Sequence, residues 1–444
     1  MAETNVEQMQ GEQPKIEVAQ IGFKRTVAIA GTLLALPGVL IAFGYCCSSL
    51  TTLFDESTWR DLRAGLVWLS ATLLTWGAGS ITAWHGLRAL NGKPSRPMRL
   101  PPIWALVGVF ALLIIFGLVA YDPSRGLLAL SFAPVLWGTA VLPPLWAVSW
   151  FISGTDTDAD LTWRKGMVAL AGGATVSVVI ALVLEILVPA VFLLLVMDLA
   201  DSAISSVELL LEALAGKDVA AAVTGPGFIY ALIQLAIVAP LVEEFAKPLI
   251  TLPLLNRLTR RGAFLVGAMA GVGFATLENV LYAGFAGQFW AGIILVRALC
   301  GAIHPLGAGL VTLGWHDLFK NRVDVWPRAL LHFASAAGVH AIWNGGTLLV
   351  LTLAGAQFFD KLPPEIDVLG LSAAGTTLAL LIVLGLAALW VGRTVTRRLP
   401  SPVDEGDVSE IPLILPDRSV AIWALLCLVA FLPAGIVGLQ LLFH

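Results

Sequence analysis

Residues 227–255 read GFIYALIQLAIVAPLVEEFAKPLITLPLL, an apolar run interrupted by two adjacent carboxylates, Glu243 and Glu244, and by Lys247. About 20 residues at 1.5 Å each cross a hydrocarbon core, so the run reads as a membrane-spanning helix. Each charge near the bilayer centre costs about 2.5–3.5 kcal/mol on insertion scales. A span that keeps three of them holds them for a reason other than crossing.

The surrounding chain is of the same kind. Its 444 residues are 58% hydrophobic and 13% charged, with a mean hydropathy of +0.87; a soluble domain carries about 25% charged residues. Hydropathy predicts an all-α polytopic membrane protein with about eleven spans. They fall at 27–46, 64–84, 103–121, 127–152, 167–197, 227–255, 263–285, 289–313, 329–354, 368–391 and 420–442. Basic residues gather in alternate loops: Arg88, Lys93, Arg96 and Arg99; Arg164 and Lys165; Arg257, Arg260 and Arg261; Lys320, Arg322 and Arg328; Arg393, Arg397 and Arg398. The other loops are mostly neutral or acidic, with Arg60 and Arg63 the exception. By the positive-inside rule the N-terminus is cytoplasmic and the C-terminus external.

Between and beyond the spans, residues 1–22 are polar and predict a disordered cytoplasmic tail, 201–215 carry an apolar stripe suited to a helix on the outer interface, and 393–418 predict a cytoplasmic linker. The expected organisation is a four-helix membrane extension over 23–166, a core over 167–355, and a two-helix extension over 356–444. Net charge is only −4 and no basic stripe points to nucleic acid. Cys46, Cys47, Cys300 and Cys427 lack metal-ligand spacing and read as small buried hydrophobes.

The intramembrane polar residues are unevenly spread. Spans one to four have almost none, whereas spans six to nine carry Glu243, Glu244, Lys247, Glu278, Arg297, His304, His340 and Asn344. Counted along each span, Glu243, Glu278, His304 and His340 fall near mid-membrane, so four helices can bring them to one buried point. Lys247 is one turn from both Glu243 and Glu244 and can pair with either; His340 and Asn344 share a face. The GxxxG at Gly267–Gly271 lets a neighbouring backbone approach on the Glu278 side of its helix. Pro240 and Pro248 bracket the two carboxylates and free backbone groups that need partners. Glu185, alone in span five, is expected to pair with Arg297, and His316 and His332 read as interfacial residues.

No His-Glu-x-x-His helix and no Gly-x-Ser-x-Gly elbow is present. Carboxylate and imidazole chemistry remains: a buried glutamate as general base toward water, and a histidine with an amide as donors to a developing oxyanion. A buried Glu–Lys pair serves equally well as glue between helices. A proton or metal relay in a transporter uses the same residue types, although no inverted repeat is visible.

Four motifs, each on its own span, carry a resemblance: EEFAK at 243–247, FATLEN at 274–279, RALCGAIH at 297–304 and HAIWN at 340–344. In this order they resemble the PrsW family of glutamic-type intramembrane proteases, relatives of the type-II CAAX prenyl proteases, over residues 227–354. The resemblance implies an endopeptidase of the plasma membrane that cuts a membrane-anchored protein, such as an anti-sigma-type regulator. It implies catalytic roles for Glu243 (the water activator), Glu244, Glu278, His304, His340 and Asn344, the last two as an oxyanion pair. Lys247, Asn279 and Arg297 support them. Pro305, after His304, departs from the family pattern, where a small apolar residue is expected. A catalytically silent scaffold is the other expectation for such a chain. No metal or other cofactor is expected, on three grounds. No two histidines share a helix at i,i+4, Lys247 would repel a dication, and Asn344 gives His340 a role that uses its N–H.

Overall fold

The computed structural model describes residues 93–122, 131–157, 160–195, 226–320, 325–358 and 364–400, with isolated positions at 70–88 and 128–129. The expected spans at 27–46 and 420–442, the tail, the helix at 201–215, most of the span at 64–84 and the linker beyond residue 400 lie outside them.

Among the described residues every long element is a helix and no strand forms. Helix α1 spans Ile103–Ala120 and α2 Phe132–Ile152. Helices α3 (Trp163–Gly172) and α4 (Val178–Leu195) are joined through a π turn at Gly173–Ser177. The run that opens the sequence is broken: α5 (Pro226–Ile233), a π turn (Gln234–Val238), α6 (Ala239–Ala246) and a 3-10 segment (Lys247–Arg257). Helix α7 (Arg260–Ala286) follows, then α8 (Trp290–Leu299), α9 (Ile303–Phe319), α10 (Val325–Phe358) and α11 (Pro364–Arg398). Among the described residues five helical stretches are long and apolar enough to cross a membrane, with Trp163–Pro189 counted as one through its π turn, or six if α8 and α9, bent by 44° at Cys300–Ala302, count as one span. This is a helical membrane protein.

Two expectations change here. The span predicted at 289–313 is two helices, because the chain turns through Cys300-Gly301-Ala302 with a 3.2 Å bond from the Cys300 N–H to the Arg297 carbonyl. Pro305 then falls in the first turn of α9, where an N–H has no intrahelical acceptor and proline costs nothing. The linker expected to begin at 393 begins later, since Arg393, Arg397 and Arg398 are still helical in α11.

Helix α7 is the axis of the fold. Every residue from Arg261 to Thr276 is buried, between α9, α2 and α3. Small residues make this possible. A Cβ on Gly271 would meet the backbone of His304 and Pro305, and one on Gly273 the carbonyl of Leu170, so α9 and α3 press on α7 from different directions. The outer helices face the other way: Trp104, Leu112 and Ile115 of α1 and Leu380, Val383 and Leu386 of α11 are exposed apolar side chains suited to lipid.

Polar clamps close the basic-loop end of the bundle. Arg260 forks onto Asp317 at 3.0 and 2.7 Å, and His316 Nε2 lies 2.8 Å from the Leu258 carbonyl. Arg261 donates to the Leu399 carbonyl at 2.5 Å, tying α11 to α7. His316 is thus a buried structural residue.

Candidate hydrolytic site

The broken sixth span explains how its charges are held. Proline lacks an N–H, so Pro240 and Pro248 interrupt the helical ladder on either side of Glu243 and Glu244. Side chains of other helices cover the loosened carbonyls: Ser177 Oγ donates to Lys247 O at 3.1 Å, and Asn344 Nδ2 to Leu235 O at 2.9 Å. Irregular backbone at membrane depth is tolerated where protein satisfies it in this way.

Lys247 is fully buried and pairs with both glutamates, at 3.0 Å to Glu243 Oε2 and 2.6 Å to Glu244 Oε1. Its ammonium also lies 4.5 Å from the centre of the Phe274 ring, a cation–π contact. Glu244 Oε1 faces His340 Nδ1 at 3.0 Å. That contact assigns the imidazole proton to Nδ1 and leaves the Nε2 lone pair free, 3.8 Å from Glu243 Oε2.

The second histidine repeats the arrangement. His304 Nε2 lies 3.2 Å from Glu278 Oε2, which Arg297 holds at 2.7 Å. Arg297 in turn donates through Nε to Asn279 Oδ1, and Asn279 Nδ2 donates to the Ala140 carbonyl at 2.9 Å. The other nitrogen of this ring is His304 Nδ1. It is buried and has no hydrogen-bond partner, and the same holds for His340 Nε2 and, apart from the Lys247 ion pair, Glu243 Oε2. One ligand-type atom from each of Glu243, His304 and His340 lies within 4.8 Å of the others. The two rings meet edge to face with centres 4.7 Å apart.

All six residues expected to be catalytic lie on the described helices, and five of them converge. Asn344 donates instead to the Leu235 carbonyl, one of the two N–H bonds its amide can make. The expected Glu185–Arg297 pair is not the one formed: Arg297 takes Glu278, and the Glu185 carbonyl accepts from Gln234 Nε2 at 3.3 Å. Phe274 and Tyr282 were not singled out as site residues, yet Tyr282 lies under the Arg297 guanidinium at 4.5 Å. Their signal was helical phase: both are one turn from Glu278 on α7.

The sequence model of the PrsW family intramembrane metalloproteases matches residues 162–363. No curated protein matches the chain, and no solved structure does. The matched region contains all four motifs and every residue of the convergence described above. Over residues 162–363, a little under half of its length, this chain matches the PrsW family of intramembrane metalloproteases.

Proposed function

We propose that this protein hydrolyses a peptide bond of a membrane-anchored substrate at the centre formed by Glu243, His304 and His340. The observation that carries the reading is the convergence, from three helices, of two buried imidazole nitrogens without hydrogen-bond partners and the Glu243 carboxylate, paired with Lys247. A carboxylate stands behind each imidazole, hydrogen-bonded at His340 and 3.2 Å away at His304, as outer carboxylates do behind ligand histidines. Glu243 faces the attacking water, while Lys247 pairs with both carboxylates of the sixth span. Glu244 holds His340, and Glu278 with Arg297 holds His304. Phe274 packs beside His304 and Lys247 and keeps bulk water from them.

The site also has the chemistry of a metal centre. Three carboxylates share two permanent cations, Lys247 and Arg297, so the cluster with all three ionised carries one net negative charge. Two imidazole nitrogens and a carboxylate are a common catalytic zinc set, and the family description reads metalloprotease. Of the three grounds against a metal, the lack of an i,i+4 histidine pair loses force because separate helices supply the ligands. The ground resting on Asn344 loses force because its amide is engaged elsewhere. We therefore assign Glu243, His304 and His340 as the residues that would hold a divalent metal, which would supply a Lewis acid toward the scissile carbonyl. Lys247, 3.0 Å from Glu243, favours a second reading in which no metal takes part and Glu243 itself takes the proton of the attacking water.

The eleven-span, N-in/C-out topology and a plasma-membrane location accompany this proposal, on the alternation of basic loops. Anti-sigma-type membrane regulators are the substrate class that the family resemblance suggests. The test uses the purified full chain co-reconstituted with a single-span reporter tagged at both ends. Wild type should release a tagged fragment, and Glu243→Gln should release none while melting at the wild-type temperature. A Gln variant that cuts as fast as wild type removes Glu243 from the chemistry.

A further inference from the structure

A polar cavity of about 320 Å³ lies far along the chain from the hydrolytic motifs, at the N-terminal end of α3. Its lining includes Trp84, His85, Arg88, Arg96, Trp163 and Arg164. Three guanidinium groups share this space, and among the described residues no carboxylate pairs with any of them. Arg164 is fixed in place: its backbone N–H donates to Ser95 Oγ at 3.0 Å and its Nη2 to the Lys93 carbonyl at 2.6 Å. Its Nε is buried and has no partner. Burial first, and then the Arg164 and Arg88 charges, hold His85 below its ordinary pKa.

The cavity is built in advance. Residues 93–100 run antiparallel to the start of α3, with Met98 N bonded to Leu161 O at 2.9 Å and Trp163 N to Arg96 O at 3.0 Å. Trp84 and Trp163 are both exposed at its rim, as tryptophans are at the level of lipid headgroups. The basic loops assign this end of the bundle to the cytoplasmic surface, where anionic lipids gather. Clustered guanidinium forks match the oxygens of a phosphate better than any neutral ligand.

We propose that this cavity binds a phosphate group at the membrane–water boundary, carried by an anionic phospholipid headgroup. A soluble phosphate ester is the other source of the same chemistry. Helix α3 leads from the cavity to the π turn that packs on α7, so occupancy would brace the helix that carries Glu278.

The experiment uses the purified full chain in neutral detergent, titrated separately with phosphatidylglycerol, phosphatidylcholine and glycerol phosphate. Native mass spectrometry counts bound lipid, and thermal melting reports stabilisation. Expected is one phosphatidylglycerol per chain, bound about tenfold more tightly than phosphatidylcholine. Arg164→Gln combined with Arg96→Gln should lose about tenfold in affinity, and Arg328→Gln, an exposed charge elsewhere, should lose nothing. Should the double variant fail to fold, Arg164→Lys, which keeps the charge and loses the fork, should still weaken binding several-fold. Saturable binding of glycerol phosphate at the same affinity, lost in the same variants, would support the phosphate site with a soluble source. Equal losses in Arg328→Gln, or unchanged binding in the Arg164 variants, would overturn the proposal.

Discussion

Gly271→Ala should disable the enzyme without touching a functional group. The new Cβ would lie 2.7 Å from the His304 carbonyl carbon and 2.9 Å from Pro305 Cα, against an ordinary contact of 3.4 Å or more. These are backbone atoms of α9, with the His304 carbonyl oxygen nearer still, and cannot rotate away, so α9 must back off by about 1 Å, carrying His304 with it. Overpacking of this kind costs about 1–3 kcal/mol in stability, and a misplacement near 1 Å at a reacting group costs about 10²-fold in rate. Gly273→Ala is the matched control. It overpacks α7 against Leu170 of α3 and should lower the melting temperature similarly while leaving His304 in place. Reporter cleavage in proteoliposomes, normalised to folded protein, separates the two. We expect Gly271→Ala to cut about 10–100-fold more slowly and Gly273→Ala to stay within about threefold of wild type, on the same positioning argument. Equal rates in the two variants would refute the claim that His304 is held against α7 for catalysis.

Lys247→Met should cost about 3–5 kcal/mol, because it strands two buried carboxylates; denaturant unfolding in mixed micelles measures this, and an unchanged midpoint would mean that the pairs are weaker than their distances imply. Asn344→Ala should act on stability. Its amide holds the Leu235 carbonyl, so about 1–3 kcal/mol is expected for the uncovered group, with kcat within about tenfold of wild type. A loss near 10²-fold at unchanged stability is the signature of an oxyanion donor and would restore that role.

The parts of this protein written as composition and period were legible in the sequence. Helices at 103–120, 132–152 and 260–286 follow from apolar runs of membrane length, and the Glu243/Glu244/Lys247 cluster is visible because charge in oil is expensive. Less legible was how the spans break. The sharp turn at Cys300–Ala302 contains a glycine but no proline, and its position depends on α7 being narrow enough at Gly271 to admit it. The two π turns are also tertiary products, stabilised by side chains distant in sequence such as Asn344. That distance is why Asn344 looked like a partner for His340: helical phase places two residues on one face but says nothing about which atom on another helix claims each. The same limit hid the exchange by which Arg297 serves Glu278 and not Glu185.

The most direct test of the hydrolytic centre is its metal content, measured together with activity on the same purified full chain. Elemental analysis should find about one divalent metal per chain in wild type, the stoichiometry of a closed two-histidine, one-carboxylate set, and none in His304→Ala or His340→Ala. Chelation should abolish reporter cleavage, and zinc should restore it. Full cleavage by metal-free wild-type protein would contradict the assignment of Glu243, His304 and His340 as ligands and leave the Lys247-paired glutamate as the water activator.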